Sequence, residues 1–347
     1  MNRQESIKQM TGAIKADSFR MAALPLAQRN EALLNIARKL RCQSDIIFKA
    51  NAEDIERAES EHQPGPLLKR LRFDSSKLEE CLAGIESLIQ LPDPLFKTLL
   101  KRELDRDLVL HKITCPIGVI GIIFESRPDA LVQIATLCLK SGNCAILKGG
   151  SEAFKTNRTL YNVIYTACKE AGIPEGFLTL VENRADIDSL LKCGEDIDLL
   201  IPRGSNAFVR YIMDNTKIPV MGHADGICHI YVDEHFDLDK ALPVIIDSKT
   251  QYVAVCNAVE TLLVHERAAE KLIPPLLSKL KEKGVTVKGS PDIQHLAPCE
   301  SAADEDWETE YLDLVLSVKT VQNIDEAVSH INVLYGFNGK DKVQIFS

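Results

Sequence analysis

Hydrophobic and polar positions divide this chain into two regimes. Over roughly the first hundred residues the apolar positions recur at helical spacing. Leu33, Leu34, Ile36, Ala37 and Leu40 form one stripe, with Arg29, Glu31 and Arg38 off it. Pro64-Gly65-Pro66 interrupts the pattern, and the charge-rich stretches 56–61 and 101–107 read as solvated faces. From Leu108 the period changes. Residues 109–113 alternate, and the unbroken apolar run 119–124 predicts a buried strand. A helix over 129–140, a strand over 145–148 and a helix to Glu170 follow. Then come a strand over 177–181, a helix over 186–191, a strand over 198–201 and a helix over 206–213. This rhythm predicts parallel strands joined by crossover helices. A second block begins near Gly222, with strands over 227–232, 260–265, 285–288 and 312–321. Its helices are expected over 238–250, 268–283 (bent at Pro274-Pro275) and 324–334. The pattern predicts two α/β units, residues 1–222 and 223–347, with the boundary near 221–226.

Composition narrows the function. The 347 residues carry Lys+Arg 41 against Asp+Glu 50, a net charge of −9, which excludes a global basic field for nucleic acid or an anionic membrane. An anionic ligand therefore needs local cationic or amide sites. The first residues lack the apolar core of a signal peptide, and no run approaches the ~20 apolar residues of a membrane span. A cytoplasmic location is the expectation. The 10 cysteines include no Cys-x-x-Cys pair, so most are expected to be reduced, small and buried, and no metal site is expected.

Neither common nucleotide fingerprint is present. Three strand-to-helix turns nevertheless suit an anion: Lys148-Gly-Gly-Ser-Glu, Pro202-Arg-Gly-Ser-Asn and Glu125-Ser-Arg-Pro-Asp. In the first, Gly149 and Gly150 let backbone approach a ligand, Ser151 is placed to cap the helix, and Lys148 supplies charge. Each alone also reads as an ordinary loop. Their shared place, after strand C-termini, is where open α/β sheets bind ligands. Cys256 lies at a turn between a helix and a strand, beside Asn257 and Ala258. A thiolate there can act as nucleophile with neighbouring N–H groups as an oxyanion hole, although spacing alone reads more plainly as a buried structural thiol. His223 and His229 flank Asp225 and Cys228 without the spacing of a helical metal site.

Several longer stretches carry a resemblance. Val119-Ile-Gly-Ile-Ile-Phe-Glu-Ser-Arg-Pro-Asp-Ala-Leu-Val-Gln-Ile-Ala, Leu147-Lys-Gly-Gly-Ser-Glu-Ala, Ile201-Pro-Arg-Gly-Ser-Asn, Gly222-His-Ala-Asp-Gly-Ile-Cys-His, Val255-Cys-Asn-Ala-Val-Glu-Thr-Leu-Leu-Val-His and Thr309-Glu-Tyr-Leu-Asp-Leu closely resemble the γ-glutamyl phosphate reductase family. That family, also called glutamate-5-semialdehyde dehydrogenase, belongs to the aldehyde dehydrogenase superfamily. The resemblance runs from the N-terminal helices to about Asn332. It implies an aldehyde dehydrogenase-like α/β fold of two Rossmann-like α/β/α domains with the active site between them. It also implies NADPH-dependent reduction of L-glutamyl 5-phosphate to glutamate 5-semialdehyde, in proline biosynthesis, with Cys256 as nucleophile.

By the same resemblance Asn257 stands beside the nucleophile, and Lys148 faces the adenosine ribose and a 2′-phosphate; Gly150 and Ser151 of its loop are expected to bind the cofactor. Arg203, Gly204 and Ser205 face the cofactor phosphates, and Glu310 the nicotinamide ribose. Ser126 and Arg127 face the substrate. For His223 a substrate contact and a structural role both stand. The glutamate with which hydrolysing relatives activate water is replaced by the Gly222-His-Ala-Asp-Gly region, as expected where a thioester must be kept from water. After Asn332 the similarity fades. The family continues through a segment that completes the catalytic domain and carries an interface arm, so the C-terminal part is expected to be incomplete. The homo-oligomer typical of the family would lack that arm here. A catalytically impaired copy that binds only cofactor or partners, and a reductase of another acyl phosphate, are the alternatives.

Overall fold

The computed structural model describes residues 3–125, 127–204, 206–222, 226–253 and 255–335. The chain divides into two compact units, Met1–His223 and Ala224–Ser347. The first begins with helices α1 (Arg3–Ala22), α2 (Leu26–Cys42), α3 (Ser44–Ser60), α4 (Gly65–Leu71) and α5 (Ser75–Gln90). Helix α2 buries Leu33, Ile36 and Leu40 as the stripe predicts, but Leu34 is 46% exposed. Arg29, read as an outward charge, is buried instead. Its guanidinium donates to the Leu24 and Lys140 carbonyls and to Asp93 at 2.7 Å. A buried cation is tolerated only when its donors are taken up in this way.

Next comes an antiparallel hairpin of β1 (Thr98–Asp105) and β2 (Leu108–Ile113), every residue of which is exposed. The charged stretch 101–107 is solvated as expected, yet most of it is strand. The remainder of the unit alternates β3 (Val119–Ile123), α6 (Pro128–Lys140), β4 (Cys144–Lys148), α7 (Phe154–Glu170), β5 (Leu178–Leu180), α8 (Ile187–Leu190), β6 (Leu199–Pro202) and α9 (Asn206–Asp214). The four strands form a parallel sheet in the order β5-β4-β3-β6. β3 and β4 are buried at every position, the reason β3 reads as an unbroken apolar run. Helix α1 packs on β3 and β4, and α2 packs on α6 and α7.

The second unit holds β7 (Cys228–Val232), α10 (Leu238–Thr250), β8 (Val259–His265), α11 (Glu266–Glu282), β9 (Thr286–Gly289), α12 (Pro291–Leu296), β10 (Glu300–Ser301), β11 (Val315–Val321) and α13 (Ile324–Tyr335). Its strands are parallel in the order β10-β9-β11-β8-β7. Side chains alternate between two apolar layers, as the period of a strand requires. Ile230, Val232, Leu262 and Val264 join the larger core with α10 and α11, whereas Tyr231 and Leu263 pack with Ala327 and Ile331 of α13. Helix α11 continues through Pro274 and Pro275, and Asp237 caps α10 by accepting the Asp239 and Lys240 N–H groups.

Two histidines in this unit give stability a pH dependence. His229 of β7 and His330 of α13 meet edge to face with ring centroids 5.4 Å apart. Burial pushes the His229 imidazole down to about 4, and burial together with the nearby Lys319 charge brings His330 to about the same value. Both are neutral in the folded chain, while the unfolded chain takes up protons below about pH 6.5. Stability is therefore complete above that value and falls as the pH drops towards 4. For His229 alone the expected loss between pH 7.5 and pH 5 is about 2 kcal/mol, read from urea midpoints at the two pH values.

Candidate active site

In the first unit the chain steps from β3 to β4 and β5 on one side, then returns to β6 on the other. The strand order thus reverses between β3 and β6, where parallel sheets open a crevice at their carboxyl ends. Two of the predicted loops meet there. Gly204, after β6, has φ 153° and lies against Glu125, after β3; a Cβ on it would stand 3.1 Å from the Glu125 Oε1. The Arg203 N–H donates to the Ile123 carbonyl at 2.7 Å, pinning that loop while the Arg203 side chain stays exposed. Arg127 is exposed and contacts Asp129 at 3.4 Å. Ser126, Ser205 and His223 lie outside the described residues.

The third loop leaves β4 through Lys148, which is buried and donates from Nζ to the Gly149 carbonyl at 2.5 Å. Both glycines after it are close-packed: a Cβ on Gly149 would meet the Asn157 Nδ2 at 2.3 Å, and one on Gly150 the Glu152 Oε1 at 2.0 Å. Asn157 is itself buried, and its Oδ1 has no hydrogen-bond partner among the described residues. A backbone stripped of side chains above an unused buried acceptor is a fit for a polar, hydroxyl-bearing ligand such as a ribose.

The expectation that Ser151 caps the following helix is corrected. Ser151 is exposed, and no side chain within the loop caps α7. The cap comes from Asp54 of α3, fully buried, which accepts the Thr156 N–H and hydroxyl at 2.8 Å each and the Lys155 N–H at 3.3 Å. Arg57 reinforces the joint by donating to the Ser151 and Glu152 carbonyls. The anion-attracting end of α7 is thus occupied by the protein's own carboxylate. Asp54→Ala is expected to destabilise the chain by about 3 kcal/mol, because it strands buried donors. Urea unfolding at neutral pH checks this.

In the second unit Cys256 and Asn257 stand exposed in a turn closed by the Ala258 N–H donating to the Val255 carbonyl at 3.1 Å. The turn is as predicted, between α10 and β8. Exposure does not single Cys256 out, because Cys42 and Cys115 are exposed too. Burial pushes the Cys81, Cys138, Cys144 and Cys168 thiols up to about 12, leaving them inert. What distinguishes Cys256 is its surroundings. A Cβ on Gly226 would stand 2.4 Å from the Cys256 carbonyl oxygen, 3.0 Å from the Glu310 Oε1 and 3.1 Å from the Cys256 Cβ. This glycine therefore lets a distant carboxylate and the cysteine share one spot. The Cys228 thiol donates to the Cys256 carbonyl at 3.3 Å and holds the turn from the other side. No group of three or more metal-binding side chains occurs among the described residues.

A family profile described as "Aldehyde dehydrogenase family" matches residues 1–314. The γ-glutamyl phosphate reductase of Acetivibrio thermocellus is 55% identical over 97% of this chain and 78% of its own length. The chain belongs to the aldehyde dehydrogenase family, among its γ-glutamyl phosphate reductases. The reductase of the same name from Pelotomaculum thermopropionicum is 54% identical over 97% of the chain and 77% of its own length. A crystal structure of γ-glutamyl phosphate reductase from Thermotoga maritima superposes with a TM-score of 0.89 at 35% identity, over 94% of this chain and 80% of that one. The expected aldehyde dehydrogenase-like α/β fold with parallel sheets is thereby borne out. No helix among the described residues is long and apolar enough to cross a membrane.

Sequence reasoning missed Asn157, Gly226 and Asp54. Asn157 and Asp54 occur in polar, helical stretches that read as solvent-facing. Gly226 lies within a matching stretch, but its role depends on residues far along the chain.

Proposed function

We propose that this chain reduces L-glutamyl 5-phosphate to L-glutamate 5-semialdehyde and phosphate in proline biosynthesis, using NADPH and a thioester on Cys256. The carrying observation is the 55% identity along almost the whole chain to a reductase of that name. The placing of Cys256 against Glu310 and Gly226 supports it. Cys256, as its thiolate, attacks the acyl carbon: the S–C bond forms, the bond from that carbon to the bridging oxygen breaks, and phosphate leaves with that oxygen and the electron pair. The exposed Asn257 amide and the N–H groups of the turn steady the developing oxyanion. When bound, NADPH would supply a hydride to the acyl carbon; breaking of the S–C bond then releases the aldehyde and returns the thiolate to Cys256.

Lys148, Gly150 and the Asn157 acceptor hold the adenosine ribose, with Lys148 also answering a 2′-phosphate. Because Asp54 already occupies the end of α7, the cofactor phosphates are assigned to the Arg203-Gly204-Ser205 loop. Ser151 then contributes backbone to the Lys148 loop rather than a cap. Glu310 holds the nicotinamide ribose, while Ser126, Arg127 and His223 face the substrate. Leu99, Leu104, Leu108 and Ile113 of the hairpin are each more than half exposed, a surface suited to burial against a second copy of the chain.

The test is phosphate-dependent reduction of NADP by glutamate 5-semialdehyde, beside a titration with NADPH and a panel of other semialdehydes. Turnover of this substrate in preference to the panel is expected. NADPH binding without turnover, or preference for another semialdehyde, overturns the proposal.

A further inference from the structure

We propose that the buried Lys249–Glu260 ion pair is a positioning clamp that fixes the Cys256 turn and the Glu310 segment together. The inference rests on the roles given above to Cys256 and Glu310.

Lys249 is the next-to-last residue of α10, and Glu260 the second of β8, so the pair spans the base of the turn that carries Cys256. The Lys249 Nζ stands 2.6 Å from the Glu260 Oε2, with the two side chains 0% and 1% exposed. The other Glu260 oxygen, Oε1, accepts the Leu312 N–H at 3.2 Å. Leu312 follows Glu310 by two positions and has φ 51°, a left-handed backbone that a leucine adopts at a cost. One carboxylate thus ties the nucleophile's turn, through Lys249, to the strained segment that aims Glu310. Burial and the nearby Glu310 charge push the Glu260 carboxyl up, while the Lys249 hydrogen bond holds it down, so Lys249 lets two carboxylates sit close together.

Stability alone does not account for the pair. Desolvating two charges offsets most of their attraction, and an apolar pair of similar volume commonly serves a fold as well or better. What an apolar pair cannot provide is an acceptor for Leu312 and a fixed distance across the turn. Neither residue is assigned contact with substrate or cofactor; both are positioning residues.

The decisive comparison is wild type against Lys249→Met and the double variant Lys249→Met/Glu260→Leu. The double variant is expected to unfold at a urea concentration no lower than wild type. Its kcat should fall about 10- to 100-fold, its Kd for NADPH should rise, and the rate at which iodoacetamide alkylates Cys256 without cofactor should change severalfold. Lys249→Met alone leaves a protonated Glu260 to accept from Leu312, so kcat and alkylation shift while the Kd for NADPH stays close to wild type. Wild-type kcat, Kd and alkylation rate in a stable double variant overturn the clamp. If that variant fails to fold, Lys249→Met with unchanged kcat and alkylation overturns it. In the wild-type chain the Leu312 amide, on an exposed residue, should exchange its hydrogen slowly; fast exchange also overturns the clamp. Cys256→Ala separates the two claims. An active Cys256→Ala chain defeats the assigned chemistry, whereas an inactive one beside fully active clamp variants defeats the clamp alone.

Discussion

Cys256→Ala is expected to abolish phosphate-dependent reduction of NADP by glutamate 5-semialdehyde, with kcat down at least about 10⁴-fold. Five of the other cysteines are unsuited to replace it. Cys81, Cys138, Cys144 and Cys168 are held protonated by burial, and Cys228 directs its thiol to the Cys256 carbonyl. Cys256 is exposed in its turn, so its loss removes a nucleophile without opening a cavity. NADPH affinity and the urea midpoint should therefore remain near wild type while turnover disappears. Turnover that persists within tenfold of wild type would rule out the thioester.

The second large effect is expected from a single methyl group. In Gly226→Ala the new Cβ would stand 2.4 Å from the Cys256 carbonyl oxygen and 3.0 Å from the Glu310 Oε1. Real Cβ atoms do not tolerate such contacts, so either the 226–228 backbone or the Cys256 turn must shift. A displacement of about 1 Å at a nucleophile is enough for a roughly 100-fold loss in kcat. The change lies in a loop at the edge of the core, so the chain should stay folded. Parallel measurement of kcat, far-ultraviolet circular dichroism and the urea midpoint checks this; wild-type kcat would show that the crowding at Gly226 has no bearing on the reaction.

Much of the architecture was legible because it rests on local period. The unbroken apolar run of β3 and the stripe of α2 announce themselves within a few residues of chain. Of the hairpin, β2 showed in the alternation of 109–113 but β1 did not, because β1 is charged and exposed at every position and has no dry face to set a period. The turn that carries Cys256 was legible in the sequence. Its supporting residues were not. Lys249 and Glu260 look like ordinary surface charges until α10 and β8 close over them. Asp54 sits in the polar run Glu53-Asp54-Ile55-Glu56-Arg57, and only the packing of α3 on α7 makes it a cap. Such partnerships are set by tertiary geometry, which one-dimensional spacing does not encode.

The capping of α7 by a residue of α3 also bears on how the first unit can be divided. Lys15 of α1 pairs with Asp198 at 2.6 Å, and the same carboxylate accepts the Val119 N–H that begins β3, at 2.8 Å. The leading helices thus supply the cap of one helix and a charge partner for Asp198, whose carboxylate meets the first strand of the parallel sheet. The sheet and its crossovers are not a portable module with a helical preface. A protein cut at Leu108, however natural that border looks in the sequence, would keep the parallel-sheet topology yet lose the carboxylate that caps α7 and the cation that pairs with Asp198.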